Sequence, residues 1–522
     1  MQRSSGILMH ISSLPSPYGI GTLGEEAYRF ADFLAAAGQN YWQILPPGPT
    51  GYGDSPYQSL SAFAGNPYFI DLDLLAKDGL LTKEDYADID WGGDPARVDY
   101  AKLYQNRFSV LRTAYLRGRD RDHAAVEAFR QKNNVWIDRY ALFLALKDHF
   151  DSKEWPKWSD PGLRLCSWEA VEAFRRENAR EVDFHIYLQF LFFRQWDALK
   201  AYVNSLGIRI IGDVPIYVPL DSADVWSQPE LFDLDGARRP RFVAGVPPDC
   251  FCSTGQLWGN PLYDWERMKE DGYLWWQMRM EMAQRLFDVV RFDHFRGLAS
   301  YWRVPFGDET AEGGEWVDGP GRDFISMLKD RFPNLPVIAE DLGFLTDDVH
   351  ELLEYSGFPG MKVLQFAFDS REPCAYLPHL YKAHCVCYTG THDNNTVAGW
   401  LSSGNPESLA YAAEYFGLNS EEGCTAGFIR GGMSSVADLF IAQMQDYLNL
   451  GERSRMNTPS TLGGRNWQFR VLPHQISASL AARILECASR YGRANAARPS
   501  GGFGASAARP GGDTCFFSGG IS

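Results

Sequence analysis

Four acidic residues stand just beyond apolar runs: Asp213 after RIIG, Asp293 after VVRF, Glu340 (followed by Asp341) after PVIA, and Asp393, beside His392, after CVCYTG. A single carboxylate in such a place often only caps the next helix, but four, each at the end of a strand-like run, suggest one shared site. No His or Cys cluster has metal-ligand spacing, so the chemistry that fits is glycosidic. A retaining reaction takes one carboxylate as nucleophile and one carboxylic acid as proton donor, about 5–5.5 Å apart across the bond. The nucleophile must stay ionised, and Arg291, two residues before Asp293, faces the same side of a strand and supplies a cation. The acid must keep its proton near neutral pH; Glu340, its stem buried by the VIA strand and facing anionic neighbours, meets that need. His294 follows Asp293 directly, points to the other face of the strand, and is expected to be structural.

The elements that would carry these residues are short β-rich runs at 6–11, 41–45, 209–218, 289–292, 337–339, 363–368, 385–389 and roughly 438–444, with helical segments between most of them. Alternation of that kind implies parallel βαβ units, and about eight strands fit a (β/α)8 TIM barrel of the α/β class better than an open sheet. Strand ends then share one face of the barrel, which is where barrel enzymes keep their active sites. The expected catalytic barrel spans 1–492, with a mostly helical insertion at about 80–180 and a long loop insertion at about 219–285. A loop at 48–68, GPTGYGDSPYQSLSAFAGNPY, is too long and aromatic to be a mere connector. No element is assigned with conviction over 305–321. The Gly- and Ala-rich stretch 493–522 lacks apolar periodicity and is expected to be a disordered tail.

The 522 residues carry a formal charge of -16 with 45% apolar and 22% charged residues, the balance of a soluble globular protein. An acidic surface argues against nucleic acid or an anionic membrane as partner, and a neutral sugar is indifferent to it. Sixteen Trp permit sugar stacking. The nine Cys include two isolated C-x-C pairs, read as free thiols of a reducing cytosol. No leader or membrane span is evident, so the expected location is cytoplasmic, with no cofactor or metal required.

The blocks FDHFRG, IAEDLG and GTHDNN, with IIGDVPIYV upstream, resemble those of the α-amylase superfamily. Two more, SPYQSLSAFAGNPYFIDL and AGVPPDCFCSTGQLWGNPLYDW, are similar to amylomaltases, the disproportionating 4-α-glucanotransferases of bacteria and plants. The resemblance covers about residues 5–490. It implies that Asp293 is the nucleophile, Glu340 the acid/base, and Asp393 a third carboxylate gripping hydroxyls of the distorted donor sugar. It further implies that Arg291 holds Asp293, that His392 binds a donor hydroxyl, and that Asp213 supports the site through Arg291. Ser55, Tyr57, Asp249, Trp258 and Asn260 are implied sugar contacts, and Tyr52 part of a second, remote glucan site. Where the family commonly has an aromatic after PPD this chain has Cys250, and Phe251 is the residue that could cover for it. The segment MNTPSTLGGRNWQF also resembles a family block, with small changes at Ser460 and after Thr461. The implied activity moves a segment of an α-1,4-glucan donor to the 4-OH of glucose or a maltooligosaccharide. The rivals are an intracellular α-amylase-type hydrolase and a sugar-binding protein on a dead barrel, which would be expected to have lost one of the three carboxylates.

Overall fold

A computed structural model describes residues 3–248, 253–343, 345–368 and 375–496. Its strands, in chain order, are β1 Ser4–Leu8, β2 Tyr41–Gln43, β3 Arg209–Val214, β4 Phe242–Val246, β5 Gln256–Pro261, β6 Val289–Phe292, β7 Ser300–Pro305, β8 Glu315–Asp318, β9 Val337–Ala339, β10 Gly360–Val363, β11 Cys385–Tyr388 and β12 Leu439–Gln443. Eight of them form one parallel sheet in the order β10-β11-β12-β1-β2-β3-β6-β9. The Ala339 N–H, at the end of β9, donates to the Pro359 carbonyl just before β10 at 3.0 Å, which brings the two edges together. This is the (β/α)8 barrel the alternation predicts. Its strands are buried along nearly their whole length, with Ile7, Trp42, Ile211, Val290, Phe292, Ile338 and Ile441 all in the core. That explains why they read as continuous apolar runs rather than alternating ones.

The expected strand at 363–368 is displaced. The ladder runs over Gly360–Val363, paired with Cys385–Tyr388, and Leu364–Phe366 turns into a 3-10 helix. Gly360 opens the strand where the backbone makes a close approach: a Cβ there would sit 2.4 Å from the Asp341 carboxylate.

Between β2 and β3 lie the helices Tyr100–Gly118, His123–Lys132, Ile137–His149, Trp168–Glu177 and Ala179–Ser205. The last begins at Ala179, a turn or more before its apolar periodicity becomes clear in sequence. A second, antiparallel sheet of order β5-β4-β7-β8 was not foreseen. Two of its strands lie in the stretch after β3 that reads as irregular, and β8 falls where no element was assigned. Short strands containing Gly and Pro offer little periodicity to read.

The packed chain also runs past residue 492. Arg493 is buried and donates to the carbonyls of Met433, Ser4, Ser435 and Ala437 at 2.8–2.9 Å, and Asn495 is buried against Gln39 and Gly207. These two residues therefore belong to the fold, and the remainder of the expected tail, from 497, lies outside the described residues. No helix among the described residues is long and apolar enough to cross a membrane.

Candidate active site

The ends of β3, β6 and β9 are stitched side by side. The Asp293 N–H donates to the Val214 carbonyl and the Glu340 N–H to the Phe292 carbonyl, each at 3.0 Å. The chain leaves the strand immediately afterwards. His294 adopts a left-handed conformation, φ 51°, so the expectation that it alternates with Asp293 along a strand does not hold. Its backbone N–H instead donates to Oε2 of Glu340, and its ring meets Trp258 edge-on at 4.7 Å. Burial brings the His294 imidazole down to about 4, so it is neutral at ordinary pH.

Arg291 is the centre of the cluster. Its Nη1 lies 2.7 and 2.6 Å from the two oxygens of Asp213 and 2.8 Å from Oδ1 of Asp293, and its Nη2 lies 3.6 Å from Oε2 of Glu340. Burial, and then the charge of Asp293, pushes the Glu340 carboxyl well above the usual carboxylate range. One member of the group is thus disposed to keep a proton while Asp293 sits against a guanidinium.

Opposite them, Tyr57 donates to Oδ2 of Asp213 at 2.6 Å, lies 3.2 Å from Nδ1 of His392, and stacks on that ring at 4.7 Å. His392 Nε2 lies 3.3 Å from Oδ1 of Asp393, which also accepts from Asn457 Nδ2 at 2.7 Å. Burial alone would raise Asp393, but His392 and Asn457 outweigh it and hold the carboxyl at about 2. The structure therefore brings together Asp213, Arg291, Asp293, Glu340, His392, Asp393 and Tyr57.

Other expected contacts stand around this cluster. Ser55 Oγ accepts from the Tyr57 N–H at 3.2 Å and shapes the turn that presents the tyrosine. Asn260 is buried, and its Oδ1 accepts from Gln58 Nε2 at 3.3 Å, linking the loop after β2 to β5. Trp258 is reached through His294. Tyr52, 87% exposed, is not part of the cluster. Asp249, Cys250 and Phe251 lie outside the described residues. Among those described, no group of three or more His, Cys, Asp or Glu could hold a metal ion.

Sequence reasoning missed Arg455, Asn457 and Trp467. Arg455 Nη2 donates to the Asp393 carbonyl, the Asn457 N–H to the His392 carbonyl at 3.1 Å, and the Trp467 ring lies 5.8 Å from that of His392. The segment MNTPSTLGGRNWQF resembles a family block, but a partner more than sixty positions away leaves no trace in local spacing.

A family profile described as 4-alpha-glucanotransferase matches residues 9–475. The chain belongs to the 4-alpha-glucanotransferase family. It is 48% identical to the 4-alpha-glucanotransferase of Streptococcus pneumoniae over 95% of this chain and 98% of that relative. With the 4-alpha-glucanotransferase of Thermus thermophilus it shares 47% identity over 93% and 98%. The solved amylomaltase of Streptococcus agalactiae, in complex with acarbose, superposes with a TM-score of 0.92 at 41% identity, covering 95% of this chain and all of that one. The barrel is thus that of a 4-alpha-glucanotransferase, and the activity is glycosyl transfer between α-glucans rather than hydrolysis.

Proposed function

We propose that the transfer runs as a double displacement on Asp293, with Glu340 as acid and base. In the first step the Asp293 carboxylate attacks C1 of the donor glucose unit. The bond from C1 to the leaving 4-oxygen breaks, and that oxygen takes the Glu340 proton. A glycosyl ester on Asp293 results. In the second step Glu340, now a carboxylate, removes the proton from the 4-OH of an acceptor glucose or maltooligosaccharide. The 4-oxygen attacks C1 and frees Asp293. One glycosidic bond is broken and one is made, with the α configuration retained.

Asp393, held by His392 and Asn457, binds hydroxyls of the donor sugar as it flattens toward the transition state, and His392 binds one alongside it. Asp213 positions Arg291, which in turn orients Asp293. Ser55, Tyr57, Asp249, Phe251, Trp258 and Asn260 contribute to donor and acceptor subsites, and Tyr52 to a second, remote glucan site. The amylomaltase of Streptococcus agalactiae was solved with acarbose, and the proposed occupant of the matching cleft is an α-1,4-glucan. The proposed setting is the cytoplasm, on the sequence grounds given above. The proposed domain plan is a catalytic barrel with a helical insertion between β2 and β3 and a second insertion after β3.

The observation that carries the reading is the split within one cluster: Asp293 paired to Arg291 at 2.8 Å, and Glu340 raised by burial beside it. A maltosyl fluoride donor tests it, because fluoride departs without a proton. Glu340→Gln should accumulate a maltosyl ester on the peptide that contains Asp293, seen by mass spectrometry. An adduct on any other residue, or none while fluoride is still released, contradicts the assignment.

A further inference from the structure

Transfer, as proposed above, requires that water be kept from the glycosyl ester while the acceptor arrives. The wall that would do this includes the described residues of the chain after β3, where Trp258 meets His294 beside Asp293 and Asn260 accepts from Gln58 of the loop bearing Tyr57. It is fastened through a short turn. Asp221 accepts from Lys147 Nζ at 2.6 Å and from the Trp155 N–H at 3.1 Å, and the Trp155 ring N–H donates to the Leu220 carbonyl at 2.6 Å. Lys147 is nearly buried and also donates to the carbonyls of Ser152 and Lys153. Just beyond, the ring N–H of Trp226 donates to the Leu163 carbonyl, and its rings pack on Phe143 and Trp158. All of these partners belong to the helical segment between β2 and β3.

The same turn grips the other active-site loop. Asp224, buried, accepts from the Ala62 N–H at 2.9 Å, and the Ala223 N–H donates to the Leu60 carbonyl at 2.9 Å. Two residues upstream of Leu60 is Gln58, bonded to Asn260. The helical segment, the loop bearing Tyr57 and the wall bearing Trp258 thus meet at residues 220–226.

We propose that Lys147 and Asp221 are positioning residues that set the ratio of transfer to hydrolysis, by clamping the wall over the glycosyl ester from outside the site. The inference rests on the transferase reading. Neither residue is among the groups placed at the reacting atoms, so their effect must pass through the wall. Removing one partner of a nearly buried ion pair strands the other charge, which favours opening of the turn. A wall that opens during the lifetime of the ester admits water, and the energy involved need only be small to shift the outcome.

The test is the number of hydrolytic events per transfer event with maltotriose, counted as new reducing ends against redistributed glucose units. This ratio is a property of each turnover and does not change with the fraction of enzyme folded. Lys147→Met and the isosteric Asp221→Asn should each raise it about threefold or more. Arg493→Met, which unpins the opposite end of the barrel, should lower thermal stability and leave the ratio at the wild-type value. A rise of less than about threefold in either clamp variant, or an equal rise in Arg493→Met, overturns the proposal. A wild-type enzyme that hydrolyses as often as it transfers contradicts the transferase reading itself, and the clamp falls with it.

Discussion

Nη1 of Arg291 lies within 2.8 Å of oxygens from both Asp213 and Asp293. One buried cation is therefore shared between the support carboxylate and the proposed nucleophile. Arg291→Met leaves two carboxylates close together without a cation. The expected cost is about 3–5 kcal/mol of folding stability, measured from the urea midpoint, together with loss of activity. Asp213→Asn removes only one of the charges and should be milder on stability. A variant of Arg291 as stable as wild type would show that the pair contributes little to holding the strand ends.

Asp293→Asn is isosteric and should fold normally, yet it has no anion to attack C1. Its transfer rate should fall by about 10⁴ or more, the scale on which a central catalytic group acts. Activity within about tenfold of wild type, in enzyme purified free of contamination, would remove Asp293 from the role of nucleophile.

Glu340 must be protonated when the first step begins. Because burial and the Asp293 charge push its carboxyl up, kcat/KM should fall as pH rises through that raised value, giving an alkaline limb well above the ordinary carboxylate range. Release of fluoride from maltosyl fluoride, which needs no acid, should lack that limb in the wild-type enzyme and in Glu340→Gln alike. Asp393 behaves in the opposite sense. Its folded value of about 2 lies below the ordinary 3.8, so the stability it contributes is fully present above 3.8 and is lost as pH falls through about 2. It is ionised across the working range and adds no limb of its own.

Asn457 donates to Asp393 at 2.7 Å. A hydrogen bond to a charged group is worth about 1.5–3 kcal/mol, so Asn457→Ala should lower kcat roughly ten- to a hundredfold. Steady-state kinetics with a maltooligosaccharide donor reads it, and an unchanged kcat would show that His392 alone suffices to hold the carboxylate.

Much of the site was legible because a barrel converts position along a strand into position in space. Asp213, Asp293, Glu340 and Asp393 were recognisable as apolar-run ends, and the parallel sheet brings such ends to one face. What sequence could not show was whatever depends on leaving the strand or on distant chain segments. His294 reads as the next residue of β6, yet its left-handed turn sends its N–H to Glu340. Asn457 and Arg455 reach Asp393 from another loop. The same holds at the fold's edge. Residue 493 reads as the start of a featureless tail, but Arg493 finds four carbonyl acceptors, three in the segment just before β12 and one in β1, and only the folded chain displays them. Truncation after Gly492 should accordingly lower the melting temperature by several degrees.

Transfer and hydrolysis differ only in what attacks the glycosyl ester. Water is present at about 55 M, so a sugar acceptor prevails only if it is bound and the ester is shielded. Incubation with maltotriose alone, followed by chromatography of the products and a reducing-end assay, decides the matter. Each transfer conserves the number of glycosidic bonds. Glucose should therefore appear together with maltopentaose and longer chains, while total reducing ends stay nearly constant. A rise in reducing ends that keeps pace with maltotriose consumption, with every chain growing shorter, would contradict the account.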